Sequence, residues 1–410
     1  MSKIRVAAVT FDWYPFDPLV RRTAGAAIDG GCSVDVIRLR QPGEPRYEMY
    51  EGVHVHRLPM NRGFGQSLPF TVINWCWFLV LSGITLTRLH IQKRFDVVHV
   101  HNMPDFLVFS AFILKLLGAK VILEVQDVSP ELMGAKAKGK LRKIVIPLAR
   151  WQERISTAYA DHVITVGWPF EQLLLQRGVP AEKITIILNS ADPKLYPASR
   201  AYIRESQEFG ASHPMVLMYH GTVASRNGLD IAVRALAKAR QVAPHIRLDV
   251  KGRGEFIPVL KQLAQDLGVG EYLVFSEPCP PEELVDFVTH GDIGIIPYRK
   301  DGFMELVLPT KAYEFAWMCR PMIASNTRAI RSMFRPESIS LCDDSSPDSF
   351  ADAIIDLYQN PEKRRMMAIN AADDYSPFKW EAMAERYRVL LRTLSKKGSI
   401  EEARITVSRS

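Results

Sequence analysis

Short apolar runs alternate with stretches of helical periodicity along most of the chain. In the first half the runs read IRVAAVT, SVDVIRL, DVVHVH, KVILEV, HVITVG and KITIIL. The alternation restarts with MVLMYHG and continues through IRLDVKG, YLVFSE, IGIIPY, PMIAS and SISLCD. Strands that alternate with helices predict parallel sheets covered by helices on both faces. The pattern therefore predicts an α/β protein with two doubly wound parallel-sheet domains.

The two series are separated by a stretch from about 190 to 214 that is poor in apolar periodicity and contains three prolines. Prolines in such a stretch mark a linker. We therefore predict an N-terminal domain over residues 1–190 and a C-terminal domain over 191–375. A length of 410 residues also favours two domains over one.

The chain after the second domain has a different pattern. Residues 376–394 read as one long amphipathic helix. Its apolar face carries Trp380, Met383, Tyr387, Leu390 and Leu391. The polar residues 395–410 are expected to form a flexible tail.

The stretch from Gly63 to Thr87 contains no charged residue, and its length permits a membrane span. A span here would place the strands before and after it on opposite sides of a bilayer. Those strands are predicted to belong to one sheet, so we predict a buried or membrane-facing helix of the first domain.

A basic cluster precedes a second apolar segment. Its members are Lys136, Lys138, Lys140, Arg142 and Lys143. The following residues, from Ile144 to Trp151, are largely apolar. This combination fits either an anionic bilayer surface or an exposed loop before an ordinary helix. The aromatic-rich stretch from Gly63 to Thr87 favours membrane association.

The net charge of +7 and a pI near 9.1 fit a partner that carries phosphate: a nucleotide, an anionic membrane or nucleic acid. No nucleic-acid-binding motif is present, so nucleic acid is not expected as a partner. The five cysteines are scattered and include no C-x-x-C pair, which argues against a zinc site or a disulfide framework. The first residues do not read as a signal peptide, and we expect a cytoplasmic protein.

Two segments in the second half carry the candidate chemistry. In YHGTVASRNGLD, Gly221 and Gly228 allow close backbone approach before a helix start, and Arg226 adds donors suited to phosphate. In LPTKAYEFAWMCRPMIAS, Thr310 is predicted to cap a helix with Lys311 in its first turn. Helix starts bind diphosphates, and Glu314 follows at a spacing where it can accept hydroxyl hydrogen bonds. The pair predicts a nucleotide-sugar site.

The same segments, together with WYPFDPLVRR, FDVVHVHN, LEVQDVSPEL, ITIILNSADPKLYP, VKGRGEFIPVL and GDIGIIPYR, resemble GT-B glycosyltransferases of the family-4 type. The resemblance implies two Rossmann-like domains that face a central cleft, with the helix over 376–394 crossing back to the first. It also implies transfer of a sugar with retained configuration. No metal is expected, because no D-x-D pair follows a strand.

The resemblance assigns the donor site to the second domain. Arg226 and Lys311 would stabilise the leaving diphosphate, while Thr222 and Asn227 stand where the family usually has Arg and Lys. Glu314 matches the second glutamate of the E-x7-E signature, which holds the ribose hydroxyls. The first glutamate is absent, and Glu305 lies beside that position. The remaining predicted contacts are Gly221, Gly228, Arg253, Pro309 and Thr310.

In the first domain, polar residues follow two predicted strands. Gln126 stands where related enzymes often carry a histidine that contacts the transferred sugar, and Asp127 follows it. His101 and Asn102 end another strand. Asp17 and Arg21 follow the first strand and could reach the sugar or acceptor, although capping and helix-surface roles fit them equally well.

These assignments predict a retaining transferase that moves a hexose-type sugar from a UDP- or GDP-sugar to a lipid-linked or glycan acceptor. Surface polysaccharide assembly at the inner face of the plasma membrane is the expected setting. Two alternatives stay open: an epimerase or hydrolase of the same fold, and a non-catalytic subunit that binds nucleotide-sugars.

Overall fold

The computed structural model of the protein describes residues 3–60, 68–136, 139–197 and 209–395. The chain divides into unit 1, Met1–Asn189 with Glu381–Ser410, and unit 2, Ser190–Trp380. Unit 2 thus begins one residue before the predicted boundary. The predicted tail beyond residue 395, residues 198–208 of the predicted linker, residues 63–67 of the uncharged stretch and Lys138 of the basic cluster lie outside the described residues.

Unit 1 is built on an eight-stranded sheet with the order β3-β4-β2-β1-β5-β6-β7-β8. The strands are β1 (Arg5–Val9), β2 (Ser33–Leu39), β3 (Tyr47–Tyr50), β4 (Val53–Leu58), β5 (Val97–His101), β6 (Lys120–Val125), β7 (His162–Thr165) and β8 (Ile184–Ile186). All of these pairs are parallel except β3 with β4. The sequence missed this edge hairpin because most of β3 is exposed, so its residues carry little apolar signal.

Helices pack around this sheet. They are α1 (Pro18–Asp29), α2 (Leu68–Lys93), α3 (Phe112–Leu116), α4 (Ser129–Lys136), α5 (Gly139–Tyr159) and α6 (Trp168–Gln176). A 3-10 segment, Asp105–Ala111, precedes α3. Helix α1 ends before the glycine pair Gly30 and Gly31, and Gly31 has a φ of 81°.

Unit 2 has a six-stranded, fully parallel sheet with the order β11-β10-β9-β12-β13-β14. The strands are β9 (Met215–His220), β10 (Ile246–Lys251), β11 (Leu273–Ser276), β12 (Ile293–Ile296), β13 (Met322–Ser325) and β14 (Ser340–Cys342). The helices are α7 (Leu229–Ala239), α8 (Ile257–Asp266), α9 (Pro281–His290), α10 (Thr310–Trp317), α11 (Arg328–Met333), α12 (Pro347–Gln359) and α13 (Pro361–Tyr375).

The last helix, α14 (Trp380–Leu394), begins four residues later than predicted. Residues Ser376–Phe378, which include a proline, form a separate 3-10 turn instead. The buried face of α14 packs within unit 1. Tyr387 Oη lies 2.9 Å from His99 Nδ1, and Met383 Sδ accepts a hydrogen bond from the Leu188 amide at 3.3 Å.

The strand order reverses once in each sheet, between β1 and β5 in unit 1 and between β9 and β12 in unit 2. Ligands of doubly wound sheets bind outside the carboxyl ends of the strands at such switch points. The predicted site residues follow these strand ends or lie in the helices and loops beside them. The fold therefore supplies one candidate site in each unit.

Candidate functional site

Two loops of unit 2 lie backbone against backbone. The Gly221 amide donates to Lys251 O at 2.9 Å, and the Val223 amide donates to Arg253 O at 2.9 Å. A Cβ on Gly252 would lie 1.9 Å from Gly221 O, and the loop after β10 therefore requires glycine there. This contact leaves Gly221 and Thr222 exposed at the end of β9.

Gly228 is required by a second close backbone contact. Its φ is 67°, and a Cβ would lie 1.8 Å from Pro297 O, so glycine lets the start of α7 approach the end of β12. The side-chain oxygen of Asn227 accepts the Ala224 amide at 3.2 Å and so closes its own loop. Among the described residues, no side chain caps α7. The third amide of α7, that of Ile231, donates to Gly228 O at 2.9 Å, so the two amides before it are left for a ligand or water.

The prediction that Thr310 caps α10 is wrong. The cap position is Pro309, which has no side-chain hydrogen bond, and Thr310 is already the first helical residue. Pro309 has an extended backbone, with φ −70° and ψ 137°, so the helix begins at Thr310, one residue earlier than a threonine cap would place it. In the described part of the chain, no side chain accepts the amides at the start of α10.

Lys311 is buried beside this helix start, with 6% of its surface exposed. Its Nζ lies 3.1 Å from Tyr298 Oη and 4.0 Å from the centre of the Tyr219 ring. Burial lowers the pKa of Lys311, but Tyr219 and Tyr298 outweigh it and raise the pKa above its usual value. The ammonium group is therefore charged, and among the described residues no carboxylate pairs with it.

Arg226 is exposed in the 3-10 turn before α7. Burial raises the pKa of Tyr219, while the charges of Lys311 and Arg226 both oppose that rise. The two cations thus act on the same tyrosine at the end of β9.

The remaining predicted donor contacts have simpler surroundings. The carbonyl oxygen of Thr222 accepts a hydrogen bond from Tyr219 Oη at 2.7 Å. The Arg253 side chain is exposed.

Glu314 lies on α10 with its Oε2 2.9 Å from His220 Nε2. Burial raises the pKa of Tyr196, and Glu314 raises it further, which places this hydroxyl beside the same carboxylate. Glu305 Oε1 accepts the Arg328 amide at 3.1 Å, so one of its oxygens supports α11. Four neighbours of these residues were not predicted from the sequence: His220, Tyr219, Tyr298 and Tyr196. The first three lie at or just after the carboxyl ends of β9 and β12. A search for polar residues at strand ends would have found them.

In unit 1, Asn102 joins two loops. Its Nδ2 donates to Asp105 Oδ1 at 2.8 Å and to Asp127 O at 2.7 Å. Its Oδ1 accepts the Gln126 amide at 2.9 Å. Asn102 therefore holds the loop after β6 in place, and the fold brings the predicted residues Asn102, Gln126 and Asp127 together.

Beneath these loops, His99, His101 and Glu124 form a buried cluster. Glu124 Oε2 lies 2.9 Å from His99 Nε2 and 2.9 Å from His101 Nδ1. Burial lowers the pKa of His99 to about 4. Burial raises the pKa of Glu124, but His101 and His99 outweigh it and hold the pKa below its usual value. A neutral His99 thus shares an ionised carboxylate with His101.

Among the described residues, this cluster is also the set whose ligand atoms are close enough for a metal, all within 4.8 Å of one another. Tetrahedral Zn–N bonds of about 2.05 Å would hold ligand atoms about 3.3 Å apart. The observed 2.9 Å separations from Glu124 Oε2 are shorter than this distance. The three side chains therefore form a close polar cluster. Gln126 Nε2 lies 3.3 Å from His101 Nδ1 and so joins its edge.

Asp17 and Arg21 have local roles. Asp17 accepts the Leu19 and Val20 amides at 2.9 and 3.3 Å and caps α1. Burial raises the pKa of Asp17, whereas His101 lowers it, so the carboxyl lies near the end of β5. Arg21 forms an ion pair with Glu51 at 3.0 Å. Capping and surface roles explain both residues without a ligand.

Comparisons with known proteins divide the chain in the same way. A model described as "Glycosyl transferase 4-like domain" matches residues 18–190, and one described as "Glycosyl transferases group 1" matches residues 202–374. The D-inositol 3-phosphate glycosyltransferase 1 of Catenulispora acidiphila is 24% identical over 401 residues, covering 91% of this chain and 89% of that protein.

Solved structures with the same fold extend over nearly the whole chain. Sucrose-phosphate synthase from Thermosynechococcus elongatus has a TM-score of 0.75 at 19% identity and covers 97% of this chain and 100% of its own. Anabaena HepE, solved in complex with UDP and glucose, has a TM-score of 0.69 at 14% identity, with coverage of 95% and 100%. At these identities the likeness shows the fold alone.

Proposed function

This chain belongs to the GT-B glycosyltransferases of the family-4 type, and on that premise we propose that it transfers a hexose-type sugar from a UDP- or GDP-sugar to a lipid-linked or glycan acceptor. Unit 2 binds the donor, and unit 1 binds the acceptor. The relative from Catenulispora acidiphila is named for a phosphorylated inositol acceptor, and HepE was solved with UDP and glucose. The HepE complex supports a nucleotide-sugar donor.

The observation that carries the donor assignment is Lys311. Lys311 is a buried, charged ammonium group with no carboxylate partner among the described residues, so its charge is available to an anionic ligand. Lys311 lies at the start of α10, next to the switch point between β9 and β12. Arg226 and the uncapped amides of α7 and α10 add positive potential. A diphosphate supplies the missing counter-charge, and Glu314 accepts hydrogen bonds from ribose hydroxyls.

In the proposed reaction the bond between the anomeric carbon and the diphosphate oxygen breaks. A bond from the acceptor oxygen to the same face of that carbon forms, so configuration is retained. The acceptor proton passes to the departing phosphate. Lys311 and Arg226 stabilise the charge that develops on the diphosphate, which is where stabilisation lowers the barrier. These cations supply the charge that a metal ion would otherwise provide, so we propose that no metal is required.

Unit 1 fits a neutral, hydroxyl-rich molecule at its strand ends. Its buried Glu124 carboxylate has two histidines as polar partners, and Gln126 offers an amide where a hydrogen bond to the transferred sugar is needed. The Nε2 of His101 is buried without a hydrogen-bond partner among the described residues. We propose that the acceptor belongs to surface polysaccharide assembly and that the protein works peripherally at the cytoplasmic face of the plasma membrane.

The test measures nucleotide release from UDP-, GDP-, ADP- and dTDP-sugars, with and without a membrane extract. A transferase releases nucleotide from one donor and depends on the extract. Release without extract indicates a hydrolase, and conversion of the donor into another nucleotide-sugar without release indicates an epimerase. Binding with neither outcome indicates a non-catalytic subunit. Arg226→Ala should abolish release. Arg234→Ala, an exposed arginine on α7, is the matched control and should keep it.

A further inference from the structure

One face of α2 carries an exposed apolar stripe. Its members are spaced three, four or seven residues apart, which is the spacing of one helix face. They are Phe70, Ile73, Trp77, Val80, Ile84 and Ile91. The opposite face is packed on unit 1: Phe78 and Leu86 are fully buried, and the Phe78 ring meets the Phe11 ring edge-on at 5.1 Å. Helix α2 is thus apolar on both faces although only one is covered.

By length and composition, Phe70–Lys93 is the one helix in the described part of the chain that could cross a membrane. Only 17% of its most apolar window is buried, whereas a core helix would be mostly buried. However, α2 connects β4 to β5, and both strands belong to the same eight-stranded sheet. A helix that crossed a bilayer would pull that sheet apart, so α2 must lie along a surface.

An open groove of about 630 Å³ runs beside the stripe, between α2, the 3-10 segment Asp105–Ala111 and α3. Its walls are mainly carbon and include Leu79, Val80, Ile84, Ile91, Phe112 and Ile113. Helix α3 continues the exposed apolar surface with Leu116 and Leu117. We call the stripe of α2, the groove and α3 the apolar face.

The charges around the apolar face are positive. No acidic residue occurs between Glu51 and Asp96, and Arg88 and Arg94 are exposed near the end of α2. The segment Asp105–Ala111 also packs against α5. That helix has its own exposed stripe next to exposed basic side chains: Ile144, Leu148 and Trp151, with Arg142 and Lys143. Apolar stripes bordered by basic residues match anionic lipid surfaces.

We propose that the apolar face docks unit 1 onto an anionic bilayer, with α2 lying in the plane of the interface and lipid hydrocarbon filling the groove. This proposal refines the peripheral location proposed above and does not depend on which sugar is transferred. A bilayer fits the charge better than a second copy of the chain, because two copies would bring like-charged arginines together.

The test uses the full chain and Cys76, the exposed thiol of α2. Cys279 and Cys319, which are partly exposed, are replaced by serine, and Cys76 is labelled with an environment-sensitive dye. Vesicles of phosphatidylcholine and phosphatidylglycerol in equal parts should raise the dye signal and carry the protein upward in flotation. Pure phosphatidylcholine should do so less. The double variant Ile84→Asp with Ile91→Asp should bind roughly tenfold or more weakly.

Val259→Asp, which changes an exposed apolar residue on α8 of unit 2, is the control and should bind like the parent. Unchanged binding of the α2 variant would overturn the proposal. If alkaline carbonate fails to extract the protein from the membrane, the helix spans the bilayer and the proposal is wrong. A dye signal that rises with dimer formation in the absence of vesicles would also overturn it. Thermal shift by UDP or GDP is read in parallel. If the thermal shift persists in the α2 variant, the donor site of that variant is intact. If the parent protein shows no thermal shift, that result contradicts the proposed function and leaves the membrane proposal unaffected.

Discussion

The buried charged residues at the two switch points differ in their partners. At the ends of β5 and β6 in unit 1, Glu124 is buried with two histidine rings 2.9 Å from its Oε2, so the carboxylate has polar partners within the protein. At the ends of β9 and β12 in unit 2, Lys311 is buried against two tyrosines, and no carboxylate in the described residues pairs with it. The same fold thus presents one strand end whose buried carboxylate has histidine partners and one whose buried cation has no partner of opposite charge among the described residues.

This difference indicates how the two units divide the work. A site that must bind a diphosphate keeps a cation whose counter-ion arrives with the ligand. A site that must position hydroxyl groups gains more from a fixed hydrogen-bond network than from free charge. Each prediction below changes one side of this comparison and asks whether the other side responds.

The largest effect is expected for Lys311→Met. Because this substitution removes the buried cation, turnover should fall by about 10³-fold, as for the loss of a major transition-state contact. Thermal stability should fall modestly, since Tyr219 and Tyr298 favour the charged ammonium group in the folded state. The measurements are steady-state nucleotide release and a melting curve. Lys261→Met, an exposed lysine near the Phe275 ring, is the control. Unchanged nucleotide release by the Lys311 variant would contradict the role of Lys311 as the cation that binds the diphosphate.

Gly228→Ala tests the backbone that supports the donor site. An alanine there meets Pro297 O and must adopt a left-handed conformation, so unit 2 should lose about 3 kcal/mol of unfolding free energy. Gly268 has the same left-handed backbone, at φ 68°, but open space around it. Gly268→Ala should therefore cost only about 1–2 kcal/mol. Equal costs in urea unfolding would show that the contact with Pro297 does not matter.

Asn102→Ala tests the network in unit 1. The change removes the donor to the buried Asp105 carboxylate and to Asp127 O, so the unfolding free energy should drop by about 2 kcal/mol. Asn360→Ala is matched, because the Asn360 amide also makes two donor contacts but is exposed. Its cost should stay near zero. Donor binding, measured by thermal shift with UDP or GDP, should survive in the Asn102 variant; its loss would break the proposed division between the units.

The smallest effect concerns pH. Burial lowers the pKa of His99 to about 4, below its unfolded value of about 6.5, so the unfolded chain binds more protons between these values. Stability should therefore fall as pH drops through this window, and His99 should account for about 1 kcal/mol between pH 7 and pH 5.5. His162, whose pKa burial also lowers to about 4, adds a similar slope. His99→Gln should flatten the melting-temperature profile, whereas the exposed His213→Gln should not.

Much of the fold follows from local patterns. The apolar runs identified the strands of both sheets except β3 and β4, and the glycines after β9 and β10 lie where backbones touch. The E-x7-E position directed attention to Glu314. Local patterns failed at Thr310, where the proline before it took the cap position, and at the start of α14. In both cases a proline one to three residues away shifted the boundary.

The sequence alone determined a two-domain α/β fold, because strand and helix periods are local signals that can be read without a structure. The glycosyltransferase class followed from the resemblance of the motifs to a known family. The tertiary structure decided which buried charged side chains have polar partners within the protein. His99, His101 and Glu124 come from neighbouring strands, and Lys311, Tyr219 and Tyr298 come from three different segments. Only the packing of these segments shows that the Glu124 carboxylate has histidine partners and that Lys311 has no carboxylate partner among the described residues. Burial and the distance between such residues cannot be read from their spacing in the sequence.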